Sequence, residues 1–361
     1  MKAIDYAKMG CDTLMKSYTP DALPPGKRLF YHQGVFLSGM EKTYELCGEK
    51  KYLDYIKGYI DLFIDEHGKV MSPKNMFDET QPAVLMYKLL EETGDEKYRK
   101  ALEDVMEIYP TWPVNKEGGF WHTRTFKDQV WLDSIYMAGP LAVMYGIEFG
   151  ERDYFELIYL QMKLMWEHLR DERTGLLYHA WDSSKEASWA DEDTGCSPEF
   201  WGRAIGWYVV TLLDLAEMLP DNYLKRKEFA DNVVELLKSL VNFQDEKTGM
   251  WYQIVDKGHD EKNWIETSCS CLYVYGLAKA LRMGLLGDEY RESLTKGYEG
   301  IINTIRLEDG ELFVDNICVG TRVMTYDEYL ERPVVTNDLH GMGAFVLMCT
   351  EYQKYENSYI D

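Results

Sequence analysis

The chain has 361 residues, 46% of them hydrophobic and 14% aromatic, and its 39 Lys and Arg against 62 Asp and Glu give a net charge of −23. That is enough apolar material for a large core, with no basic stripe and interleaved aromatics to read nucleic acid, and no apolar run near the roughly 20 residues a membrane span needs. Nucleic acid and membrane are therefore not expected partners, while an anionic substrate stays open because exposed charge is screened over about 10 Å and a few cations in a pocket outweigh a distant acidic surface.

Seven cysteines, an odd number with no secretory leader at Met1-Lys2-Ala3-Ile4-Asp5, point to the cytoplasm. Cys269 and Cys271 stand one residue apart, which is not a zinc or redox spacing, and there is no paired His-x-x-x-His. No metal and no cofactor are expected.

No Pro, Gly or Ser-rich linker divides the chain, so residues 1–361 are expected to form a single domain. A short phrase recurs along it: Gly48-Glu49-Lys50-Lys51-Tyr52, Gly94-Asp95-Glu96-Lys97-Tyr98, Gly150-Glu151-Arg152-Asp153-Tyr154, then Pro220-Asp221-Asn222-Tyr223 and Gly287-Asp288-Glu289-Tyr290. Each phrase reads as a tight turn in a helical hairpin: Gly closes one helix in a left-handed cap, an acidic residue favours the next N-terminus, and Tyr packs back onto the pair. Long polar stretches alternate with these turns, at 19–32, 67–77, 110–127, 171–197, 245–264 and 307–338. Helical periodicity fills the gaps, giving about twelve helices in about six hairpins, few enough to close into a ring. The expected fold is all-α, with minor β content in the loops at 250–254 and 311–314.

The residues with chemistry gather where a long loop feeds the second helix of a pair. Tyr31 precedes a helix near Gln33, Asp78 opens one running to Leu90, and Asp133 opens the helix of Ile135, Met137 and Leu141 close behind Trp131. Trp201 and Arg203 open the helix of Trp207, and His340 begins the last. If those helices form an inner ring, their N-termini share one rim and distant residues converge on a pocket. Singly, each has a plainer reading. Asp78 and Asp133 are good helix caps, His122 and His179 are ordinary loop histidines, and Trp201 is ordinary packing. Arg203 is harder to set aside, because Phe200-Trp201-Gly202-Arg203-Ala204-Ile205-Gly206-Trp207 would bury a guanidinium that then needs an anion.

WLDSIYMAGP, the later YHAWDSSKEASWADEDTGCSPEFWGRAIGWYVV, and the flanking YHQGVF and DLHGMGAFVL closely resemble glycoside hydrolase family 105, the unsaturated rhamnogalacturonyl hydrolases, kin to the unsaturated glucuronyl hydrolases of family 88. The likeness runs from about Tyr31 to about Glu351. It implies a six-hairpin (α/α)6 barrel, in agreement with the hairpin count. It also implies Asp133 as catalytic acid/base, Asp78 as a second active-site carboxylate, and His179, Trp201 and Arg203 as substrate-binding residues, with Tyr31, His122 and Trp131 in the same pocket. Thr123 departs from the family pattern, where a basic residue commonly follows the histidine, and this bears on leaving-group preference.

The implied substrate is an oligosaccharide left by a polysaccharide lyase, whose terminal uronate carries a C4=C5 double bond conjugated to the ring oxygen as an enol ether. A proton delivered to C4 leaves a cation at C5 that the ring oxygen stabilises, water adds there, and one acid that returns as base suffices. Asp133 suits the task if its pKa is raised. A move from about 3.9 to about 6 is worth roughly 3 kcal/mol, which burial against Trp131 and repulsion from Asp78 would supply. Arg203 and His179 are accordingly expected on substrate oxygens rather than on Asp133, with Tyr31 and Trp201 as walls for the ring. The rival readings are an ordinary inverting glycosidase using Asp78 and Asp133 as a pair, and a non-catalytic helical scaffold whose aromatics form core or a peptide groove.

Overall fold

The computed structural model describes residues 1–358. Helices α1 (Ala3–Ser17), α2 (Tyr31–Cys47), α3 (Lys50–Ile60), α4 (Leu85–Thr93), α5 (Glu96–Met106), α6 (Asp133–Phe149) and α7 (Asp153–Leu169) make up the first half. The second half holds α8 (Gly202–Met218), α9 (Arg226–Val241), α10 (Thr267–Arg282), α11 (Arg291–Thr304), the short α12 (Tyr326–Leu330) and α13 (Leu339–Asn357).

Helices α2, α4, α6, α8, α10 and α13 form the inner ring, and α13 packs back on α2 to close it. The turn 81–84 ahead of α4 carries the contact from α2 across to α6. Outside this ring α3, α5, α7, α9 and α11 each pair with the inner helix before them, and α1 packs on α13, so both ends of the described chain share the sixth hairpin. The inner helices are buried nearly all round: every residue of α10 from Thr267 to Leu281 is covered. The outer ones bury a single stripe, as α5 does with Tyr98, Ala101, Leu102, Val105 and Met106. At the seam α13 and α2 touch backbone to backbone, since a Cβ on Gly343 would lie 2.6 Å from the Phe36 nitrogen.

Gly48, Gly94 and Gly150 cap α2, α4 and α6 in the left-handed conformation, at φ 70°, 65° and 78°, as the repeated phrase predicts. The fifth phrase departs from it. Gly287 is extended at φ −80°, and Gly284, three residues nearer the end of α10, takes the left-handed geometry at φ 68°. Nor does Asp78 open an α-helix. It sits in a single 3-10 turn (Phe77–Glu79), and α4 begins only at Leu85, because Pro82 lacks an N–H and its ring clashes with the carbonyl four residues back.

Three two-stranded ribbons decorate the loops: β1 (Gln129–Trp131) with β2 (Ala180–Asp182), β3 (Arg306–Glu308) with β4 (Glu311–Phe313), and β5 (Ile317–Cys318) with β6 (Val334–Val335). The strand expected at 311–314 is β4. The one expected at 250–254 is absent, because Tyr252 and Ile254 bridge singly to different partners, Ile265 and Trp201, while Trp251 turns into the core. No described helix is long and apolar enough to cross a membrane.

Candidate active site

Every long loop precedes an inner helix and every short turn follows one, so the inner N-termini lie on one rim. There a cleft of about 430 Å3 opens between Tyr31, His32, Asp78, His122, Trp131 and the segment 320–332. A second cleft of about 270 Å3 adjoins it across Trp131, with Trp189 and Arg322 on its walls.

The β1–β2 ribbon sets the centre of the site. Trp131 pairs with Ala180, and the Leu132 amide donates to the His179 carbonyl at 3.1 Å, so the residues that leave the ribbon face each other. In consequence His179 Nε2 lies 3.1 Å from Asp133 Oδ2, although 46 residues separate the two. Burial alone would raise the Asp133 pKa. The hydrogen bond from His179 and the nearby Arg203 charge outweigh it and hold this carboxyl below the usual carboxylate range. The raised pKa expected for Asp133 is therefore corrected, since the sequence does not reveal that His179 is its neighbour.

Asp78 has the opposite surroundings. Its Oδ1 is buried with no hydrogen-bond partner, and burial, reinforced by the Asp133 charge, pushes its pKa up to about 7. The two carboxyls thus differ in environment, and below about pH 7 the pair carries one proton, on Asp78.

His122 stacks face to face on Trp131, with centroids 4.1 Å apart and 4° between planes, and its Nδ1 lies 3.0 Å from Ser134 Oγ. Burial holds its pKa down to about 4, so it is uncharged at neutral pH. Tyr31, the first residue of α2, lines the cleft in reach of the charges of Arg203, Asp78, Asp133 and Asp338, and burial pushes its phenol well up.

The remaining expected residues stand behind the cleft. His179 is fully buried, and its Nδ1 lies 2.6 Å from the Tyr329 hydroxyl. It meets Asp133, not a site open to substrate. Trp201, 1% exposed, stacks on His179 at 4.7 Å and backs it rather than forming a wall for a sugar. Arg203 donates to the carbonyls of Cys318 at 2.5 Å and Val319 at 2.7 Å, with Glu266 4.0 Å away and the Trp201 ring beneath it. The guanidinium is buried as the sequence predicts. Its partners are chiefly backbone oxygens, and it clamps the 317–319 loop instead of waiting for substrate.

Four residues that the sequence reading passed over belong to the site: His32, Tyr329, Arg322 and Arg332. Arg332 donates to the Gly320 carbonyl at 2.5 Å and lines the cleft, while exposed Arg322 lines both clefts. The detectable signal was a pair of arginines in a strongly acidic stretch of an acidic chain. His32, Asp338 and His340 are also the one group of metal-capable side chains found among the described residues.

The model of glycosyl hydrolase family 88 matches residues 6–356. A solved glycoside hydrolase from family 105 of C. acetobutylicum ATCC 824 is 35% identical, with a TM-score of 0.92 over 97% of this chain and 99% of that one. The unsaturated rhamnogalacturonyl hydrolase YesR of Bacillus subtilis (strain 168) is 27% identical over 328 residues, 89% of this chain and 88% of its own. The unsaturated glucuronyl hydrolase of Bacillus sp. GL1, responsible for degradation of glycosaminoglycan, shares the fold at a TM-score of 0.74 and 13% identity, over 96% of this chain and 95% of that one.

Proposed function

The chain belongs to glycosyl hydrolase family 88, and from that membership we propose that it removes the unsaturated uronic acid from the non-reducing end of polysaccharide-lyase products, unsaturated rhamnogalacturonan oligosaccharides first among them. The observation that carries this reading is a pair of interacting carboxyls at the rim, Asp78 lining the cleft and Asp133 near enough for its charge to act on it, pushed in opposite directions so that together they hold one proton below about pH 7. Hydration of an enol ether needs that and a water molecule, with no nucleophile from the protein.

We assign Asp133 to C4 of the sugar and Asp78 to holding the proton before substrate enters. When the sugar covers Asp133, whose side chain is still partly exposed, its desolvation deepens until it outweighs the pull of His179, and the proton moves to it from Asp78. Delivery to C4 leaves positive charge shared by C5 and the ring oxygen. Water adds at C5, returning a proton to the ionised pair, and the resulting hemiketal opens and expels the rest of the saccharide. Trp131, with His122 stacked on it, and Tyr31 form the walls, while Arg322 and Arg332 supply positive charge for the uronate carboxylate. Trp201, His179 and Arg203 act from behind, through Asp133 and the 317–319 loop.

All seven cysteines are unpaired, which supports work in a reducing compartment such as the cytoplasm, and we take the matched residues 6–356 as one catalytic unit.

The deciding experiment follows the ultraviolet absorbance of the unsaturated uronate in lyase digests, then repeats the reaction in labelled water. Deuterium at C4 and solvent oxygen first at C5 are expected, with a saturated uronide of the same linkage inert. Solvent oxygen on C1, with comparable rates on both substrates, would reject this reading in favour of direct glycosidic substitution.

A further inference from the structure

Where α13 meets α2 at the rim of the cleft, three side chains converge without an obvious reason within the protein. Asp338 is the N-cap residue of α13, a position from which an Asp carboxylate ordinarily accepts from the first turn of its helix, yet it makes no cap hydrogen bond. It turns instead toward two imidazoles. Its Oδ1 lies 2.8 Å from His340 Nδ1 and 3.4 Å from His32 Nδ1.

The donor arithmetic at His340 is unusual. Its Nε2 lies 3.0 Å from the Cys318 carbonyl, which can only accept, so the ring hydrogen belongs on Nε2. The ring is wholly buried, and Nδ1, despite its nearness to Asp338, lacks the alignment of a hydrogen bond and has no partner. A buried nitrogen lone pair therefore points into a space that a carboxylate oxygen and a second imidazole also face. The ligand-capable atoms of the three residues all lie within 4.8 Å of one another. Two ligands each about 2.1 Å from one small ion stand roughly 3 to 3.5 Å apart. Asp338 stands at about that distance from each imidazole, and the partly buried His32 ring would close in on the ion to complete the set. A ligating histidine also typically donates its other ring N–H to a backbone carbonyl, which fixes the tautomer and orients the ring, as Cys318 does for His340.

We propose that His32, Asp338 and His340 form a binding site for a divalent transition-metal ion of the zinc type at the rim of the cleft. Two imidazoles and one carboxylate suit zinc or its first-row neighbours rather than calcium or magnesium, which prefer all-oxygen sets. Three protein ligands leave at least one position open. His32 lines the cleft, so that position looks toward substrate, where a sugar or carboxylate oxygen would complete the shell. The Arg203 charge near His340 opposes a second cation, while Asp338 itself favours one.

The test is made on the intact protein, stripped with chelator and titrated with Co2+ and with Zn2+. We expect one equivalent to bind in calorimetry, and bound Co2+ to develop visible absorption without thiolate charge transfer, since no cysteine belongs to the set. His32→Ala and Asp338→Asn should each weaken binding by about tenfold or more. His32 is only partly buried, so its variant is informative even if a change at Asp338 disturbs α13. Absence of saturable binding at millimolar metal would mean that a proton, not an ion, joins Asp338 and His340, and would overturn the site. Unchanged affinity in both variants would put the ion elsewhere and overturn it equally. Neither readout depends on the saccharide chemistry, so failure here leaves the proposed hydrolysis untouched.

Discussion

The hydroxyl of Tyr329 lies 2.6 Å from Nδ1 of His179, across 150 residues of chain, and the other nitrogen of that ring reaches Asp133 at 3.1 Å. Nε2 faces a carboxylate and so carries the hydrogen. In the uncharged ring Nδ1 then accepts from Tyr329, whose oxygen in turn receives the Met324 amide at 3.2 Å. Tyr329 fixes the tautomer that lets His179 donate to Asp133.

Tyr329→Phe removes that selection without emptying the space. We expect kcat to fall about ten- to a hundredfold, less than loss of the acid itself, with KM nearly unchanged because Tyr329 does not line the cleft. The acid limb of the pH–kcat/KM profile should move as well. An unaltered kcat and profile would reduce Tyr329 to packing.

Asp133→Asn should fold normally and lose turnover by about 10²-fold to 10⁴-fold or more, since an amide has no acidic proton to give. Circular dichroism checks the fold and single-turnover kinetics the loss. A folded variant that keeps a tenth of kcat would remove Asp133 from the mechanism.

Asp78 sets the alkaline side. The pair holds its one proton only below about pH 7, so the rate should decline as pH rises through that value, and Asp78→Asn should abolish that limb along with much of the turnover. Stability follows with a definite sign. The folded pKa lies above the unfolded value of about 3.9, so between the two the native state binds more protons than the unfolded chain, and stability drops as pH rises from about 4 to about 7. Above that window the buried carboxylate costs up to about 4 kcal/mol, and Asp78→Asn should be the more stable protein there, with the difference vanishing below about pH 4. Denaturant melts at several pH values measure it.

Arg203→Lys should be poorly tolerated because a point charge cannot serve two carbonyls in a fork. Freed from Arg203, the Cys318–Val319 strand end would loosen the wall that carries Arg322 and Arg332, so kcat/KM should fall more than kcat. Hydrogen exchange at 317–332 should speed up in the same variant. Wild-type kinetics with unchanged exchange would make the clamp dispensable.

Much of the ring was legible because its signals are local. Gly48, Gly94 and Gly150 needed only their neighbours to be recognised as caps, and the alternation of short turns and long loops put Tyr31, Asp78 and Asp133 on one rim before any contact was known. What escaped depends on distant pairing. The depressed pKa of Asp133 comes from His179, brought opposite by the Trp131–Ala180 register. Tyr329 arrives on a five-residue helix in the 306–338 loop, which has no sustained period and is held from outside, by Arg203 and by the Gln253 amide on the Tyr329 carbonyl at 2.9 Å. Arg203 itself was read correctly as buried, but it was expected on substrate oxygens and is held by the carbonyls of Cys318 and Val319, because backbone carbonyls leave no mark in a sequence.

The sixth hairpin, made by α1 and α13, has a consequence for the order in which the protein can be made. The Ile4 amide hydrogen-bonds the Gln353 side chain at 3.2 Å, and α13 supplies the wall on which α2 closes. While the chain is still emerging from the ribosome, the apolar flanks of α1, α2 and α10 have no partner across the gap. They stay exposed until the segment 339–357 has left the exit tunnel. Closure is therefore a late event of long sequence separation, and the open five-hairpin arc before it is the species that a chaperone would meet.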